Sequence, residues 1–280
     1  MSSTFSLADF QALTEAEFSV EKTREDLNAI ADFYLNKEYQ EEALLAIGKE
    51  RKLPAEVLRA HKAFYVDFDE TLNSLPEEYR SEALGLVKYK DVIYAGRFVY
   101  SVMDVKGNVM GFCGWDPGGE PKYLDSKNHG YKAKEATFYG MEKLPEYYRS
   151  SEPIYVVEGI VCCLYLRSKG LQAIALLGSS MTKYVVTILK RLEKRLVFIP
   201  DNDVIGKSVV DINCTKPAGE HFVKQVKREL PSARVIQSII AKDVDDTRLF
   251  EDGKYEEDFL AELKIVARNP FYMFKTIRMR

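Results

Sequence analysis

Ile154-Tyr155-Val156-Val157-Glu158-Gly159-Ile160-Val161-Cys162-Cys163-Leu164-Tyr165-Leu166 is the stretch on which the fold turns. Ile154–Val157 is a short run of aromatic and β-branched residues, the composition of a buried strand. Gly159 then opens a helix to Ser168 that ends near Gly170. The grammar repeats outward from there. Ala173–Leu177 reads as a strand, and Ser179 or Ser180 caps a helix running to about Lys194. Leu196–Ile199 is a strand, Ala218–Leu230 a helix closed by Pro231, Val235–Ala241 a strand and Tyr255–Ala267 an amphipathic helix. Strand alternating with helix predicts an α/β fold, a mainly parallel sheet flanked by helices. Ligands in such sheets bind at the carboxyl ends of strands.

Acidic residues stand at three of those ends. Glu158 follows the first strand, Asp201 and Asp203 follow Phe198-Ile199-Pro200, and Asp243, Asp245 and Asp246 follow Val235–Ala241. Converging carboxylates repel and are costly to desolvate unless a cation joins them. The cation suited to an oxygen-only site is Mg²⁺ or Mn²⁺. Two such ions about 4 Å apart clamp the attacking and leaving oxygens of a phosphoryl transfer. Glu158 is chemically separable, as a general base toward a hydroxyl or as a further ligand. A single D-x-D is usually a solvated loop; three stations at strand ends point to a metal site. Gly178-Ser179-Ser180 is a strand-to-helix turn whose N–H groups either hold a phosphate or simply cap the helix.

The first half is written differently. Residues 5–60 read as helical, with apolar spacing over Leu27–Tyr34 and Glu41–Ile47 and a helix start at Pro54. Val92–Tyr94 and Phe98–Asp104 alternate, Val105-Lys106-Gly107-Asn108 is a hairpin turn, Val109–Trp115 returns, and Pro121–Leu124 adds a third strand. Glu135–Leu144 reads as a short helix. Residues 88–134 hold eight Lys/Arg against five Asp/Glu. Lys122, Lys127, Lys132 and Lys134 surround Tyr123, His129 and Tyr131, a mixture that suits single-stranded nucleic acid or nucleotide phosphates but is weak alone.

Composition sets outer bounds. The 280 residues are 46% hydrophobic and 30% charged, as in a soluble globular chain with a real core, and the net charge of −3 carries no global nucleic-acid signal. No apolar run reaches membrane-spanning length and no signal peptide is visible, so a cytoplasmic location without membrane partners is expected. The four cysteines and three histidines lack zinc spacing, and structural disulfides are not expected.

These stations resemble the Toprim fold of primases, topoisomerases and some nucleases, which carries Glu-Gly after its first strand, Asp-x-Asp after its third and a later acidic pair. The match extends to Arg97–Phe112, Lys122-Tyr123-Leu124-Asp125-Ser126, Lys134 and Phe138-Tyr139-Gly140, which look like the N-terminal half of the catalytic core of bacterial DnaG-type primases. Ala175-Leu176-Leu177-Gly178-Ser179 and Ala241-Lys242-Asp243-Val244-Asp245 keep the same order. The resemblance covers most of residues 40–250. It implies a helical region over 1–65, an α+β primase-like subdomain over 66–150, a Toprim domain over 151–250, and a C-terminal helix with a short basic tail, Lys275–Arg280.

Carried over, Glu158, Asp201, Asp203, Asp243 and Asp245 form the metal cluster, with Glu158, Asp201 and Asp203 catalytic. Arg97, Lys122, Tyr123, Lys134 and Gly178 contact template or nucleotide. The resemblance implies primer synthesis from ribonucleoside triphosphates on single-stranded DNA, with a replicative helicase or a separate zinc-binding protein as partner. Zinc-binding and helicase modules are not seen, as expected of a compact core of the phage-encoded kind. Two departures stand out. Cys162 replaces an Asp usual four residues after the Toprim Glu, and Trp115 replaces an Arg. Trp115 either stacks on a base or packs in the core. The alternatives are a Toprim nuclease and a catalytically weakened nucleic-acid-binding regulator of replication.

Overall fold

The computed structural model describes residues 21–126, 138–177, 181–200, 224–238, 256–268 and 274–277. The chain divides into two compact units, Met1–Pro145 and Glu146–Arg280.

The first unit opens with helices α1 (Glu21–Leu35), α2 (Gln40–Arg51) and α3 (Ala55–Ala60), then strand β1 (Phe64–Tyr65). A two-strand ladder of β2 (Val87–Lys88) and β3 (Asp91–Val92) precedes β4 (Phe98–Met103), β5 (Val109–Trp115) and β6 (Tyr123–Asp125). The main sheet is antiparallel in the order β1-β4-β5-β6. Leu27, Ile30, Ala31 and Tyr34 recur every three or four residues along α1, and this buried face packs in one core with Phe64, Val109 and Phe112. Tyr34 stacks on Phe64 with centroids 4.9 Å apart. Each such large side chain, fully buried, stabilises by about 1.5–3 kcal/mol. The β4–β5 turn falls where the sequence predicts it. The Asp104 carboxylate accepts from the Lys106 and Asn108 amides at 2.8 and 3.0 Å, and Gly107 takes the left-handed conformation at φ 84°.

Three local expectations change. The predicted Val92–Tyr94 strand is only the two-residue β3, because Tyr94 turns its ring into the core. β1, too short for any periodicity, is an addition. Its outer edge is closed by the buried side chain of Gln40, whose amide accepts from the Tyr65 N–H at 2.9 Å and donates to the Tyr65 carbonyl. The helix predicted over Glu135–Leu144 lies partly outside the described residues. In the described part Gly140 sits at φ 99°, and a 3-10 turn (Met141–Lys143) leads into α4 (Leu144–Arg149) across the division between units.

In the second unit the order is β7 (Ile154–Val157), α5 (Ile160–Ser168), β8 (Ala173–Ala175), α6 (Lys183–Arg191), β9 (Leu196–Ile199), a helical stretch at 224–229, β10 (Arg234–Ser238), α7 (Glu256–Arg268) and β11 (Phe274–Ile277). Every strand pair is parallel, in the order β11-β10-β9-β7-β8. The mainly parallel α/β sheet expected from the alternation is therefore present. In α5, Ile160–Leu166 are all buried, as its unbroken apolar run requires. In α6, Val185, Val186, Ile188 and Leu189 face inward while Lys183, Lys190 and Arg191 are exposed. The α6 cap is Thr182, later than the predicted Ser179 or Ser180. Its hydroxyl accepts from the Val185 amide at 3.2 Å. The predicted basic tail begins instead as a strand: Phe274–Ile277 pairs in parallel with Val235–Ser238. The Tyr165 hydroxyl donates to Glu256 at 2.6 Å and Lys169 pairs with the same carboxylate, tying α5 to α7.

Candidate active site at the carboxyl edge of the parallel sheet

From β7 the chain moves to β8 on one side, then crosses β7 to place β9 on the other. The strand order therefore reverses between β7 and β9, where open α/β sheets bind their ligands. Val157 is paired with Ile199, so the loops that begin at Glu158 and Pro200 leave the sheet side by side. Glu158 is half-buried there, and its carbonyl accepts from the Leu177 amide at 3.2 Å, next to a Leu176-to-Val157 bond of 3.0 Å. Leu177 reaches this bond from φ 60°, a conformation that costs a branched side chain about 1–2 kcal/mol. Strain of that kind collects at functional sites. The turn read at Gly178-Ser179-Ser180 begins one residue later, so the left-handed Leu177 was not expected.

Asp201 and Asp203 follow Pro200 directly in sequence, and both lie outside the described residues, as do Asp243, Asp245, Lys134 and Gly178. Glu158 is thus the one described member of the five predicted ligands, and among the described residues no group of three or more His, Cys, Asp or Glu forms a metal cluster. The donor set expected from the sequence is all carboxylate, a chemistry suited to a hard divalent cation. Cys162 lies in the first turn of α5 and is 5% exposed, its Sγ 3.8 Å from where a Cβ on Gly159 would project. A thiol beside Glu158 is a poor ligand for such an ion. Cys113, Cys162 and Cys163 are buried.

The first unit sorts its predicted contact residues into two kinds. Lys122 is exposed and Tyr123 is 44% exposed, both carried on the outer edge of the sheet where Tyr123 pairs with Trp115. Arg97 is buried. Its Nη1 donates to the Pro121 carbonyl at 3.0 Å and the Lys122 carbonyl at 3.5 Å, so its charge fastens the loop that delivers Lys122. Gly114 makes room for this packing, since a Cβ there would sit 2.5 Å from the Tyr94 ring and 3.1 Å from Arg97 Cδ. Trp115 is 3% exposed beneath the Arg51 guanidinium, 5.2 Å from the ring centroid, which favours the packed reading of this indole.

No family model matches the chain. Its curated relatives include the DNA primase of Legionella pneumophila, 30% identical over 117 residues, covering 41% of this chain and 20% of the relative. The DNA primase of Aquifex aeolicus is 26% identical over 202 residues, covering 68% of this chain and 41% of the relative. A solved DnaG primase catalytic domain bound to ssDNA superposes with a TM-score of 0.67 at 21% identity, over 87% of this chain and 78% of that one. The fold is that of a DnaG-type primase catalytic core. The chain spans less than half the length of both curated primases. Within the primase-core fold, the β7/β9 edge and the exposed Lys122-Tyr123 strand are the two described places where predicted site residues face outward. Among the described residues no helix is long and apolar enough to cross a membrane.

Proposed function

We propose that this chain is the polymerising core of a DNA primase, joining ribonucleotides on a single-stranded DNA template. The observation that carries the reading is the β7/β9 switch point, with Glu158 leaving one strand and the Asp201-Asn202-Asp203 sequence following the other. The likeness to a primase catalytic domain solved with ssDNA supports the choice of template. Bound at Glu158, Asp201, Asp203, Asp243 and Asp245, Mg²⁺ or Mn²⁺ supplies charge neutralisation for the attacking 3′-hydroxyl and the departing pyrophosphate. Glu158, fixed through its backbone to Leu177, is the group positioned to accept the hydroxyl proton or to complete the ligand set. Lys122, Lys134 and the Gly178 turn hold template and triphosphate by charge and backbone N–H groups, Tyr123 stacks on a base, and Arg97 keeps the Lys122 loop in place. A replicative helicase or a separate zinc-binding protein is the expected partner.

A primer-synthesis assay with single-stranded DNA, ribonucleotides and either metal tests this reading. No product with Mg²⁺ or Mn²⁺, also in the presence of a helicase, sinks it. Cys162 favours a second reading, a regulator that binds nucleic acid and has lost catalysis, because a buried thiol stands where related cores place a carboxylate. Cys162→Asp separates the two. A rise in product at low metal marks a weakened enzyme, whereas single-strand binding with no activity in either form marks the regulator.

A further inference from the structure

A cavity of about 440 Å³ opens in the first unit, built wholly from that unit between α2 and the antiparallel sheet. Its volume is that of a ligand site. The walls are aromatic: Tyr39, Tyr65, Phe98 and Trp115 line it. The charged lining residues are Glu42, Glu50 and Asp67, with no Lys or Arg among them; Arg51 sits over the Trp115 ring without lining the cavity. The local field is negative. Burial first, then the charges of Asp67 and Asp116, push the Tyr65 hydroxyl above its usual range. Burial, with Glu70 and Asp67 adding, pushes Tyr39 up to about 12.

One further feature calls for an occupant. Phe68 is 78% exposed, and its ring lies against Gly96 on the cavity wall, with Cδ2 2.9 Å from where a Cβ on Gly96 would project. A large aromatic so exposed beside an apolar cavity extends the contact surface outward. The acidic rim repels phosphate, so nucleic acid and nucleotides are the wrong charge. A metal ion alone leaves the aromatic walls unused. A polypeptide supplies both of the missing parts: an apolar side chain and cationic side chains beside it.

We propose that this cavity docks a protein segment carrying Lys or Arg on both sides of a large apolar side chain. The apolar group packs against the aromatic wall of Tyr39, Tyr65, Phe98 and Trp115, and the cations reach Glu42, Glu50 and Asp67. Recognition combines an apolar anchor with a charged rim, the arrangement that concentrates affinity at protein interfaces. The proposal is independent of the polymerase reading and uses none of its metal ligands.

Trp115 is the only tryptophan in the chain, so indole emission reports on the cavity and on the neighbouring Tyr123 edge, and the cavity substitutions separate the two. The probe is the blocked hexapeptide Arg-Lys-Leu-Phe-Lys-Arg, compared with Glu-Glu-Leu-Phe-Glu-Glu and with a short oligothymidylate. The basic peptide is expected to change the emission saturably, and the acidic peptide is not. Combining Glu42→Gln, Glu50→Gln and Asp67→Asn should weaken the basic peptide about tenfold. Ala46→Lys, on the exposed face of α2 at the cavity wall, should do the same with an unaltered circular dichroism spectrum. The proposal is overturned by any of four results. These are no saturable response to the basic peptide, an equal response to the acidic one, basic-peptide binding untouched by both sets of substitutions in folded protein, or an oligothymidylate that displaces the basic peptide.

Discussion

The two sheets use their charged residues in opposite ways. In the parallel sheet of the second unit, Glu158 directly follows β7 and is half-buried at the carboxyl edge, beyond the Val157–Ile199 pair. In the antiparallel sheet of the first unit, Arg97 stands beside the strand itself and is consumed by packing, while Lys122, at the end of the loop it fastens, stays exposed. Arg97 and Lys122 each stand one residue before a strand, so local packing, more than position in the sheet, decides which charge is left exposed.

Glu158→Gln is the widest test of that contrast. Primer synthesis is expected to fall about 100-fold or more, with the urea midpoint unchanged. A loss of stability of similar weight would mean that Glu158 is part of the fold, like Arg97. Arg97→Ala is the reverse case. It leaves the Pro121 and Lys122 carbonyls without their buried donor and is expected to destabilise by about 2 kcal/mol in urea unfolding. If stability holds and only template affinity drops, Arg97 belongs with Lys122 and the contrast fails. Thr182→Ala removes the α6 cap and is expected to cost about 1 kcal/mol, recovered in part by Thr182→Ser.

The smallest effect is a pH dependence on the α5–α7 contact. Burial works to raise the Glu256 carboxyl, but hydrogen bonds from Lys169 and Tyr165 outweigh it and hold the group below its ordinary value of 4.5. The folded pKa is depressed, so this contribution is full above the unfolded value and disappears as pH falls through the folded one. Glu256→Gln is expected to flatten the stability profile from about pH 5 to about pH 3, read from urea midpoints. An unchanged slope would show that the contact does not titrate.

What could be read from the sequence follows the same division. The strand–helix alternation from Ile154 to Ile199 is written in unbroken apolar runs, and its parallel sheet was legible. So was the Val105-Lys106-Gly107-Asn108 turn, whose chemistry is local. β1 was not, since two residues carry no period, and β11 was hidden because Lys275, Arg278 and Arg280 make the segment look like a solvated tail. The basic character of Arg97 was legible but its burial was not, because burial is set by Tyr94, Gly114 and a loop over twenty residues away. The α6 cap was misplaced for a similar reason: several hydroxyls precede the helix, and only geometry selects Thr182.

Gln40 has a consequence for how the first unit meets other molecules. Its side-chain amide occupies both the donor and the acceptor of Tyr65 on the outer edge of β1. An incoming strand finds no open ladder there, so this edge of the sheet is guarded against association with a second chain. Anything that recognises this side of the unit must read its side chains, because the backbone has already been answered by one glutamine.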